Sequence, residues 1–520
     1  MKTKINLFLL FIFVSFLATA QKFDPREAEK SLVRIEIKQG TKGYASSGFI
    51  WKDDATVVTS LHAMKQGATY KVFYNNKFPR DAEVYKVYKD ADLVLLKTNI
   101  DERPLTSEVK PLTSYSSTRP EFGDKLYAQG FHGGSKGHRT TPLEKNDANP
   151  ETLKMLVWEK EKRQTLIDLG FPSIDLDIVY LVGSLLPGYS GSPIYNTKGE
   201  LVAIGNGGLE NGATGVSWAI PASYLEKLDN SAVSSLPSNL NQIDLLMSSQ
   251  VEVEIDPNDN SDDAIQRKME EQYTVYEGGS YEFVKTKNRS FEEMYNSSFE
   301  TENLDYFIQN LEDADLEIDF EYIRYDLYED MNNGVTIAVP EESQLVYDPE
   351  SGSFSVDISN YDLSEYFSLE YFGYEDEYNE IEDVDMAADM LLEKIDEMIG
   401  ADYGGFYEDE DFSYSMELGK DSEVVYILYH SYDTKYEEYD DDYHALRIYF
   451  TVLKRGNSYF YSMCTISLPT EKMGEVMEEG LNCVDDYDGY PEACEFFEGF
   501  IRVQAAAQFT TFSGSLISSR

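Results

Sequence analysis

Short stretches of alternating or continuous apolar residues recur through the first half of the chain. Residues 31–37, Ser-Leu-Val-Arg-Ile-Glu-Ile, alternate as a half-buried strand does, and a β-branched run at 56–60 precedes a histidine. Later strand-like stretches, each bounded by turn residues, lie at 70–74, 82–88, 93–97, 125–131, 178–182, 193–196, 201–206 and 215–220. Many short strands with little helix predict an all-β barrel architecture for this half.

From about residue 278 onward, strand and helix periodicities are mixed. Strand-like stretches lie at 335–339, 354–358, 423–430 and 444–453. Residues 457–468 are expected to pair with the last of these through a turn at 455–457. Apolar residues at helical spacing predict helices over 383–399, 471–481 and 491–507. The second half is therefore predicted to be α+β, and its residues indicate no particular family.

The distribution of charge divides the chain. Its 520 residues are too many for one hydrophobic core, so we expect two or three domains. The net charge of −51 excludes a simple nucleic-acid binder, because such a protein neutralises phosphates with Lys and Arg. Residues 21–240 hold 27 basic and 27 acidic residues, whereas residues 241–520 hold 15 and 68. This step predicts a domain boundary near residue 240.

Residues 233–277 are poor in apolar periodicity and rich in Ser, Asn and Asp, which is typical of a linker. We therefore predict a first domain at 21–232, a linker at 233–277 and an acidic α+β domain at 278–510. The acidic surface is most simply a solvated face over an ordinary core. The alternative is a surface that binds cations or a basic partner.

Residues 1–20 have the pattern of a secretory signal peptide. Lys2 and Lys4 form a basic start, an apolar run spans 7–17, and Ala18-Thr19-Ala20 supplies small residues for cleavage. A transmembrane anchor is the alternative, but the run is short for one, and no later stretch is long and apolar enough to span a membrane. We expect an exported protein, periplasmic or secreted.

Cysteine usage fits export without a disulfide framework. Only 3 cysteines occur, Cys464, Cys483 and Cys494, all in the acidic half. Cys483 and Cys494 could pair, which leaves one thiol over in any case.

The stretch Pro187-Gly-Tyr-Ser-Gly-Ser-Pro193 carries the first candidate for chemistry. Ser190 lies within Gly-x-Ser-Gly, and glycines lack a Cβ, so the main chain can approach a substrate closely. The N–H groups of Gly188 and Ser190 can point at one oxygen and bind the oxyanion of a tetrahedral intermediate. The alternative is an ordinary turn, which uses the same residue types. A nucleophilic serine also needs a base and a group that orients the base.

Two residues at strand ends can fill these roles. His62 follows the run 56–60 in a Thr-x-x-His setting, although a single histidine is more often structural. Asp92 begins a strongly apolar strand, where a carboxylate is unfavourable unless it is hydrogen-bonded. The alternative for Asp92 is a strand cap or turn residue, a role that suits Asp90 better.

Four short motifs, in order and at plausible spacing, make residues 30–230 resemble the trypsin-like (chymotrypsin-fold) serine peptidases. Within them the chain is most similar to the bacterial, disulfide-free branch of HtrA/DegP-like and V8-like enzymes. The motifs are Thr59-Ser-Leu-His-Ala63, Asp90-Ala-Asp-Leu-Val-Leu-Leu96, Gly188-Tyr-Ser-Gly-Ser-Pro193 and Gly215-Val-Ser-Trp-Ala-Ile-Pro221. The resemblance implies two six-stranded β-barrels with the site in the cleft between them.

The resemblance also implies a role for each residue. Ser190 attacks the scissile carbonyl, His62 transfers the proton, and Asp92 orients the imidazole. The N–H groups of Gly188 and Ser190 form the oxyanion hole. An edge strand that pairs with the substrate backbone falls at Ser217, Trp218 and Ala219, although Trp218 could equally be a core aromatic.

Specificity is less strongly indicated. Ser184 falls where members specific for basic residues carry an aspartate, and Val216 falls where V8-like members carry a glutamate-reading histidine. We therefore expect polypeptide substrates with a small or apolar P1 residue, and no metal or other cofactor. The long segment 131–177 is expected to be a surface insertion, and the alternative is a lid or an exosite. His132 and His138 lie near its start, and their spacing alone is a weak indication of zinc.

Ser190, His62 and Asp92 together favour an exported serine endopeptidase with an accessory acidic domain. A different class of function is a catalytically idle binding protein that keeps the peptidase fold, with its main interaction on the acidic domain. No segment that resembles a PDZ domain follows the predicted linker, which is a departure from the HtrA pattern.

Overall fold

The computed structural model divides the chain into two compact units, Met1–Glu210 with Ser217–Gln272, and Asn211–Val216 with Tyr273–Arg520. The described residues are 22–74, 78–99, 109–134, 137–145, 151–157, 160–183, 185–207, 216–245, 251–256, 259, 261, 264–272, 275–297, 323–330, 334–358, 367–376, 381–395, 407–408, 414–419, 422–432, 444–455, 457–469, 499 and 502–512.

The first unit begins with helix α1 (Pro25–Glu29), which Asp24 caps, and a closed six-stranded barrel. The barrel strands are β1 (Leu32–Gln39), β2 (Lys42–Ile50), β3 (Thr56–Ser60), β4 (Thr69–Tyr74), β5 (Phe78–Tyr88) and β6 (Leu93–Thr98). They lie in the order β1-β4-β5-β6-β3-β2, and pairing of β1 with β2 closes the barrel. Gly40 turns the β1–β2 hairpin with a φ of 62°, a left-handed conformation that favours glycine.

A second closed barrel follows in the same unit. Its strands are β7 (Lys125–Gly130), β8 (Arg139–Lys145), β9 (Val179–Val182), β10 (Pro193–Asn196), β11 (Leu201–Gly207) and β12 (Val216–Pro221). The order is β10-β11-β12-β9-β8-β7, and β10 pairs with β7 to close it. The predicted pair of six-stranded barrels is therefore confirmed.

Two helices lie between β8 and β9, α2 (Leu153–Leu156) and α3 (Lys160–Leu169). Leu153, Leu166 and Phe171 are buried in the same apolar core as Leu96 of the first barrel. This part of the 131–177 segment is thus held by core packing, because its apolar side chains leave water together with those of the barrel.

The stretch predicted as a linker, 233–277, contains regular structure that belongs to the first unit. After helix α4 (Tyr224–Asp229), strand β13 (Val251–Glu254) adds to β2 with Val251 opposite Ala45. Helix α5 (Ala264–Gln272) packs on β2 so closely that a Cβ at Gly43 would lie 2.8 Å from Ile265. Apolar periodicity missed these elements because each is short and contributes few buried apolar residues.

The second unit contains two antiparallel sheets. Its strands are β14 (Val275–Gly278), β15 (Tyr281–Ser290), β16 (Arg324–Asp330), β17 (Val335–Pro340), β18 (Gln344–Asp348), β19 (Ser353–Asp357), β20 (Phe367–Glu375), β21 (Tyr407–Glu408), β22 (Tyr414–Gly419), β23 (Ser422–Tyr432), β24 (His444–Arg455), β25 (Ser458–Pro469) and β26 (Thr511–Phe512). One sheet has the order β14-β15-β16-β17-β26, and the other has the order β18-β19-β20-β25-β24-β23-β21 with β22 on β23. Helices α6 (Phe291–Ser297) and α7 (Val384–Ile395) belong to this unit. Residues 502–508 are helical as well, and they overlap the end of the helix predicted over 491–507.

Sheets and helices in this unit agree with the predicted α+β region. The expected hairpin is present, since β24 pairs with β25 and Arg455 lies opposite Ser458. The predicted helix 471–481 and both Cys483 and Cys494 lie outside the described residues. Cys464 is buried without a disulfide, and burial raises the pKa of its thiol.

Candidate active site

The three candidate catalytic residues come from both barrels of the first unit. His62 lies just after β3, and Asp92 lies between a short 3₁₀ turn and β6, so both belong to the first barrel. Ser190 lies in the turn that leads into β10 of the second barrel. Their side chains meet where the two barrels pack together.

A continuous buried path joins the three side chains. The His62 ring lies between its two partners, with Nδ1 2.5 Å from Asp92 Oδ2 and Nε2 3.0 Å from Ser190 Oγ. Exposure is 1% for His62 and 0% for Asp92 and Ser190. In such a dry environment charge–dipole interactions are stronger than in water.

Asp92 fixes the backbone of His62 as well as its ring. Its second oxygen, Oδ1, accepts from the His62 N–H at 2.8 Å, and its backbone carbonyl accepts from Leu61 N at 2.8 Å. The residue itself is left-handed, with φ 53°, a conformation that aspartate tolerates better than most residues. The main chain is therefore bent sharply at the point where the carboxylate turns toward the histidine.

Asn206, at the end of β11, completes the surroundings of Asp92 and was missed by the sequence analysis. Its Nδ2 donates to Asp92 Oδ2 at 2.7 Å, and its backbone carbonyl accepts from Ser190 Oγ at 3.4 Å. The asparagine is fully buried. In the sequence, only its position directly after the apolar run 201–205 sets Asn206 apart as a polar residue at a strand end. Its contact with Asp92 could not be predicted, because the two residues are 114 positions apart.

The serine turn requires glycines because of its backbone conformation and, at Gly191, because neighbouring atoms lie too close for a side chain. Gly191 has a φ of 85°, and a Cβ there would lie 2.2 Å from Thr59 Oγ1 and 2.4 Å from Ser47 O. Gly188 has a φ of 99°. Both conformations favour glycine, so the turn can adopt this shape only with glycine at these two positions.

Hydrogen bonds fix the two peptide planes that carry the candidate oxyanion donors. Gly133 N donates to Pro187 O at 2.7 Å, and Ser192 N donates to Tyr189 O at 2.8 Å. In a trans peptide the N–H points away from the C=O of the same plane. These two bonds therefore set the directions of the N–H groups of Gly188 and Ser190.

The structure corrects the expected role of Ser217, Trp218 and Ala219. Strand β12 lies between β11 and β9 in the closed barrel, with Gly205 opposite Ala219, so it is not an edge that a substrate could extend. All three residues are at most 1% exposed. Ser217 Oγ accepts from Leu185 N at 2.5 Å. Ser184, the other predicted substrate residue, lies outside the described residues.

His132 and His138 do not meet at a common site. His132 is buried, and burial together with the charge of Arg139 lowers the pKa of His132 to about 4. His138 Nε2 lies 3.6 Å from Glu29 Oε2. Within the described ranges, no three His, Cys, Asp or Glu side chains converge as metal ligands do. No helix among the same residues is both long and apolar enough to cross a membrane.

Comparison with known proteins gives matches to the first unit. The model of the trypsin-like peptidase domain family matches residues 46–204. A probable periplasmic serine endoprotease, DegP-like, of Rhizobium meliloti (strain 1021) is 25% identical over 222 residues, which are 41% of this chain and 39% of that protein. The serine protease HTRA1A of Danio rerio is 25% identical over 183 residues, 35% of this chain and 33% of that protein. The match thus spans about two fifths or less of these relatives.

Two solved structures are similar to part of the chain. The active form of the Rv3671c protease from M. tuberculosis is 17% identical, with a TM-score of 0.32, over 42% of this chain and 91% of that one. Deg5 is 19% identical, with a TM-score of 0.30, over 39% of this chain and 88% of that one.

The double barrel and the family match define residues 46–204 as a trypsin-like peptidase domain. Its sequence relatives, at about 25% identity, are DegP-like and HtrA serine proteases, so this domain is similar to the HtrA/DegP type. The resemblance carried by the four sequence motifs is therefore confirmed.

Proposed function

We propose that the chain is a serine endopeptidase in which Ser190 is the nucleophile, His62 the general base and Asp92 the group that orients the base. The observation that carries this proposal is the buried path from Asp92 Oδ2 through the His62 ring to Ser190 Oγ, with spans of 2.5 and 3.0 Å. A nucleophile, a base and an orienting group within hydrogen-bond reach are what acyl transfer requires.

Acylation follows from this arrangement. Ser190 Oγ forms a bond to the carbonyl carbon of the scissile peptide, and its proton passes to His62 Nε2. The carboxylate of Asp92 accepts the hydrogen on Nδ1, which leaves Nε2 as the acceptor and stabilises the imidazolium. His62 then donates the proton to the leaving amine as the C–N bond breaks. Water attacks the remaining ester by the same route and regenerates Ser190.

The oxyanion is assigned to the N–H groups of Gly188 and Ser190. Their peptide planes are held through the carbonyls of Pro187 and Tyr189, so no reorganisation is needed as charge develops. Each donor of this kind lowers the barrier by about 2.7–4 kcal/mol. Asn206 supports the same chemistry, because its bond to Asp92 Oδ2 favours the charged carboxylate.

The substrate backbone is assigned to the end of β11 in place of the predicted 217–219. Pairing of β11 with β10 ends at Ile204, and Gly205 is bonded to Gly191 and Ser192 of the serine turn. Strand β11 continues beyond these contacts to Gly207, beside the proposed catalytic residues. An extended peptide can add to such a strand end. Leu185, Gly205 and Ser217 adjoin the serine turn on this side and are uncharged, which supports a small or apolar P1 residue.

Labelling with a serine-directed fluorophosphonate tests the proposal. The chain without residues 1–20 should take one phosphonyl adduct on Ser190, with loss of fluoride, and Ser190→Ala and His62→Ala should take none. Ser192→Ala is the matched control, since the buried Ser192 hydroxyl has no hydrogen-bond partner among the described residues. This control should label like the unaltered chain. Mapping by mass spectrometry that finds the adduct on another serine would overturn the assignment.

Folded protein that takes no adduct would favour the second candidate, an idle peptidase-fold binding protein. The observation in its favour is the strong acidity of residues 241–520, which suits a basic or cationic partner. We also infer export through residues 1–20, so the mature chain should begin at Gln21. Sequencing of the amino terminus of the secreted or periplasmic protein checks this, and an intact Met1 would contradict it.

A further inference from the structure

We propose that Ser47 is a positioning residue that holds the serine loop, defined as residues 186–192, in the conformation that forms the oxyanion hole. The inference rests on the proposed peptidase function and adds a residue that lies outside the triad and outside the loop. Ser47 is on β2 of the first barrel, whereas the loop belongs to the second barrel. It is fully buried.

Every polar group of Ser47 is engaged, and two of them reach the serine loop. Its N–H donates to Ser190 O at 3.1 Å, and its hydroxyl donates to Gly188 O at 2.7 Å. The same hydroxyl accepts from Phe131 N at 2.8 Å, and the Ser47 carbonyl accepts from Thr59 Oγ1 at 2.7 Å. Because the hydroxyl accepts from one fixed backbone donor, its own hydrogen is directed at Gly188 O.

The hydroxyl of Ser47 acts on one of the two glycines of the loop. Gly188 has a φ of 99°, and a glycine can exchange between such states with little steric hindrance. The peptide plane before Gly188 is anchored at Pro187 O by Gly133 N. The plane after it is anchored at Gly188 O by Ser47 Oγ. Tyr189 N, in the same plane, donates to Leu186 O at 3.0 Å, but this bond stays within the loop. Loss of the Ser47 hydroxyl therefore removes the side-chain bond that ties this plane to β2, and the backbone around Gly188 becomes less defined.

Packing around Ser47 leaves no room for another group to replace its hydroxyl. A Cβ at Gly130 would lie 2.7 Å from the Tyr189 ring and 3.0 Å from Ser47 Oγ. The end of β7, strand β2 and the serine loop therefore meet without spare volume. A water molecule has no room to replace the hydroxyl while Gly130, Tyr189 and residue 47 stay in place.

The test compares Ser47→Ala with Ser46→Ala in the full chain without residues 1–20. Ser46 is the matched control because it is also a buried serine of β2, but its hydroxyl lies near Thr59 Oγ1, at 3.5 Å, and not near the loop. With a chromogenic peptide, Ser47→Ala should lower kcat about 10- to 100-fold and change KM less than about twofold, since only transition-state stabilisation is lost. Ser46→Ala should stay within about twofold of the unaltered chain.

A peptide aldehyde supplies a second readout, because its adduct with Ser190 places an oxygen in the oxyanion hole. Its affinity should fall in Ser47→Ala by the same factor as kcat. A purely structural role would lower the melting temperature without changing kcat, and this result would overturn the proposal. A rise in KM with unchanged kcat would overturn it as well. If Ser47→Ala does not fold, Ser47→Cys offers a thiol that is somewhat larger than the hydroxyl and a weaker donor, and kcat should fall about fivefold or more.

Amide hydrogen exchange in residues 186–192 separates this proposal from the proposed function. Exchange should be about tenfold faster in Ser47→Ala than in Ser46→Ala, whether or not the chain hydrolyses peptides. Equal exchange in the two variants would refute the positioning role. An unaltered chain that neither labels nor hydrolyses would refute the peptidase function alone.

Discussion

Replacement of Asp92 by Asn separates a catalytic carboxylate from a strand cap. Asparagine is nearly isosteric, so packing at the start of β6 should survive. The hydrogen-bond partners of the carboxylate are all donors: His62 N at 2.8 Å on Oδ1, and His62 Nδ1 at 2.5 Å with Asn206 Nδ2 at 2.7 Å on Oδ2. An amide nitrogen therefore faces a donor at either position.

The magnitude follows from the two ways in which the amide can be placed. With its nitrogen in place of Oδ2, the amide is satisfied only if the His62 hydrogen moves to Nε2, and His62 then cannot accept the Ser190 proton. With its nitrogen in place of Oδ1, the amide places a donor against the His62 N–H, and neither donor has an acceptor there. The loss of the tautomer and of imidazolium stabilisation should lower kcat about 10⁴-fold, roughly 5 kcal/mol of barrier. The mispaired buried donor should lower the free energy of unfolding by about 1–3 kcal/mol.

Peptide hydrolysis and urea unfolding of Asp92→Asn and Asp90→Asn measure the two effects. Asp90 is exposed, and the contact that it makes with Ser173 uses its backbone carbonyl. Its substitution should therefore leave kcat and stability within about twofold and 0.5 kcal/mol of the unaltered chain. If the two variants turn over substrate equally fast, the Asp92 carboxylate is only a strand cap, and another group must orient His62.

Three further outcomes are expected. Asn206→Ala should lower kcat roughly 10- to 100-fold in the peptide assay, because it removes a hydrogen bond to a buried carboxylate; an unchanged kcat would contradict its supporting role. The free energy of unfolding should rise by up to about 3 kcal/mol between pH 4 and 6.5 because of His132. The pKa of His132 is about 4 in the folded chain and higher in the unfolded chain, so at acid pH the proton binds mainly to the unfolded chain and favours it. Urea unfolding of His132→Gln should show a flatter pH dependence, and equal slopes would contradict this. The fragment 22–272 should be more stable than 22–232 by at least about 3 kcal/mol, because the shorter one lacks β13 and α5 with their buried apolar side chains; equal urea midpoints would show that these elements contribute nothing.

The parts of the fold and site that sequence reasoning could predict are those with local patterns. The strands of both barrels appear as short apolar runs between turns, and each of the three proposed catalytic residues lies beside one of these runs. The turn around Ser190 contains a residue in a conformation that favours glycine, Gly191 with a φ of 85°. The glycine beside the serine is therefore visible in the sequence. A residue whose surroundings are set by its own few neighbours leaves a readable pattern.

Contacts between distant residues leave no such pattern. Ser47 and Gly188 are 141 positions apart, and Asn206 and Asp92 are 114 apart. For residues 217–219 the prediction itself was wrong. A strand can look like an edge in the sequence and yet lie between two others after the barrel closes. Strand neighbours are a property of the closed sheet, so the motif alone could not reveal them.

The way in which the serine loop is held links catalysis to the packing of the two barrels. On one side Ser47 and its strand belong to the first barrel; on the other, Gly205 of β11 accepts from Gly191 N and donates to Ser192 O, each at 2.8 Å. Gly133, from the turn after β7, provides the third anchor at Pro187 O. Both barrels hold the loop, and the three proposed catalytic residues are likewise divided between them. Both the proposed nucleophile and its proposed oxyanion donors therefore depend on the same interface, so a change that separates the barrels slightly should remove activity before it unfolds either one.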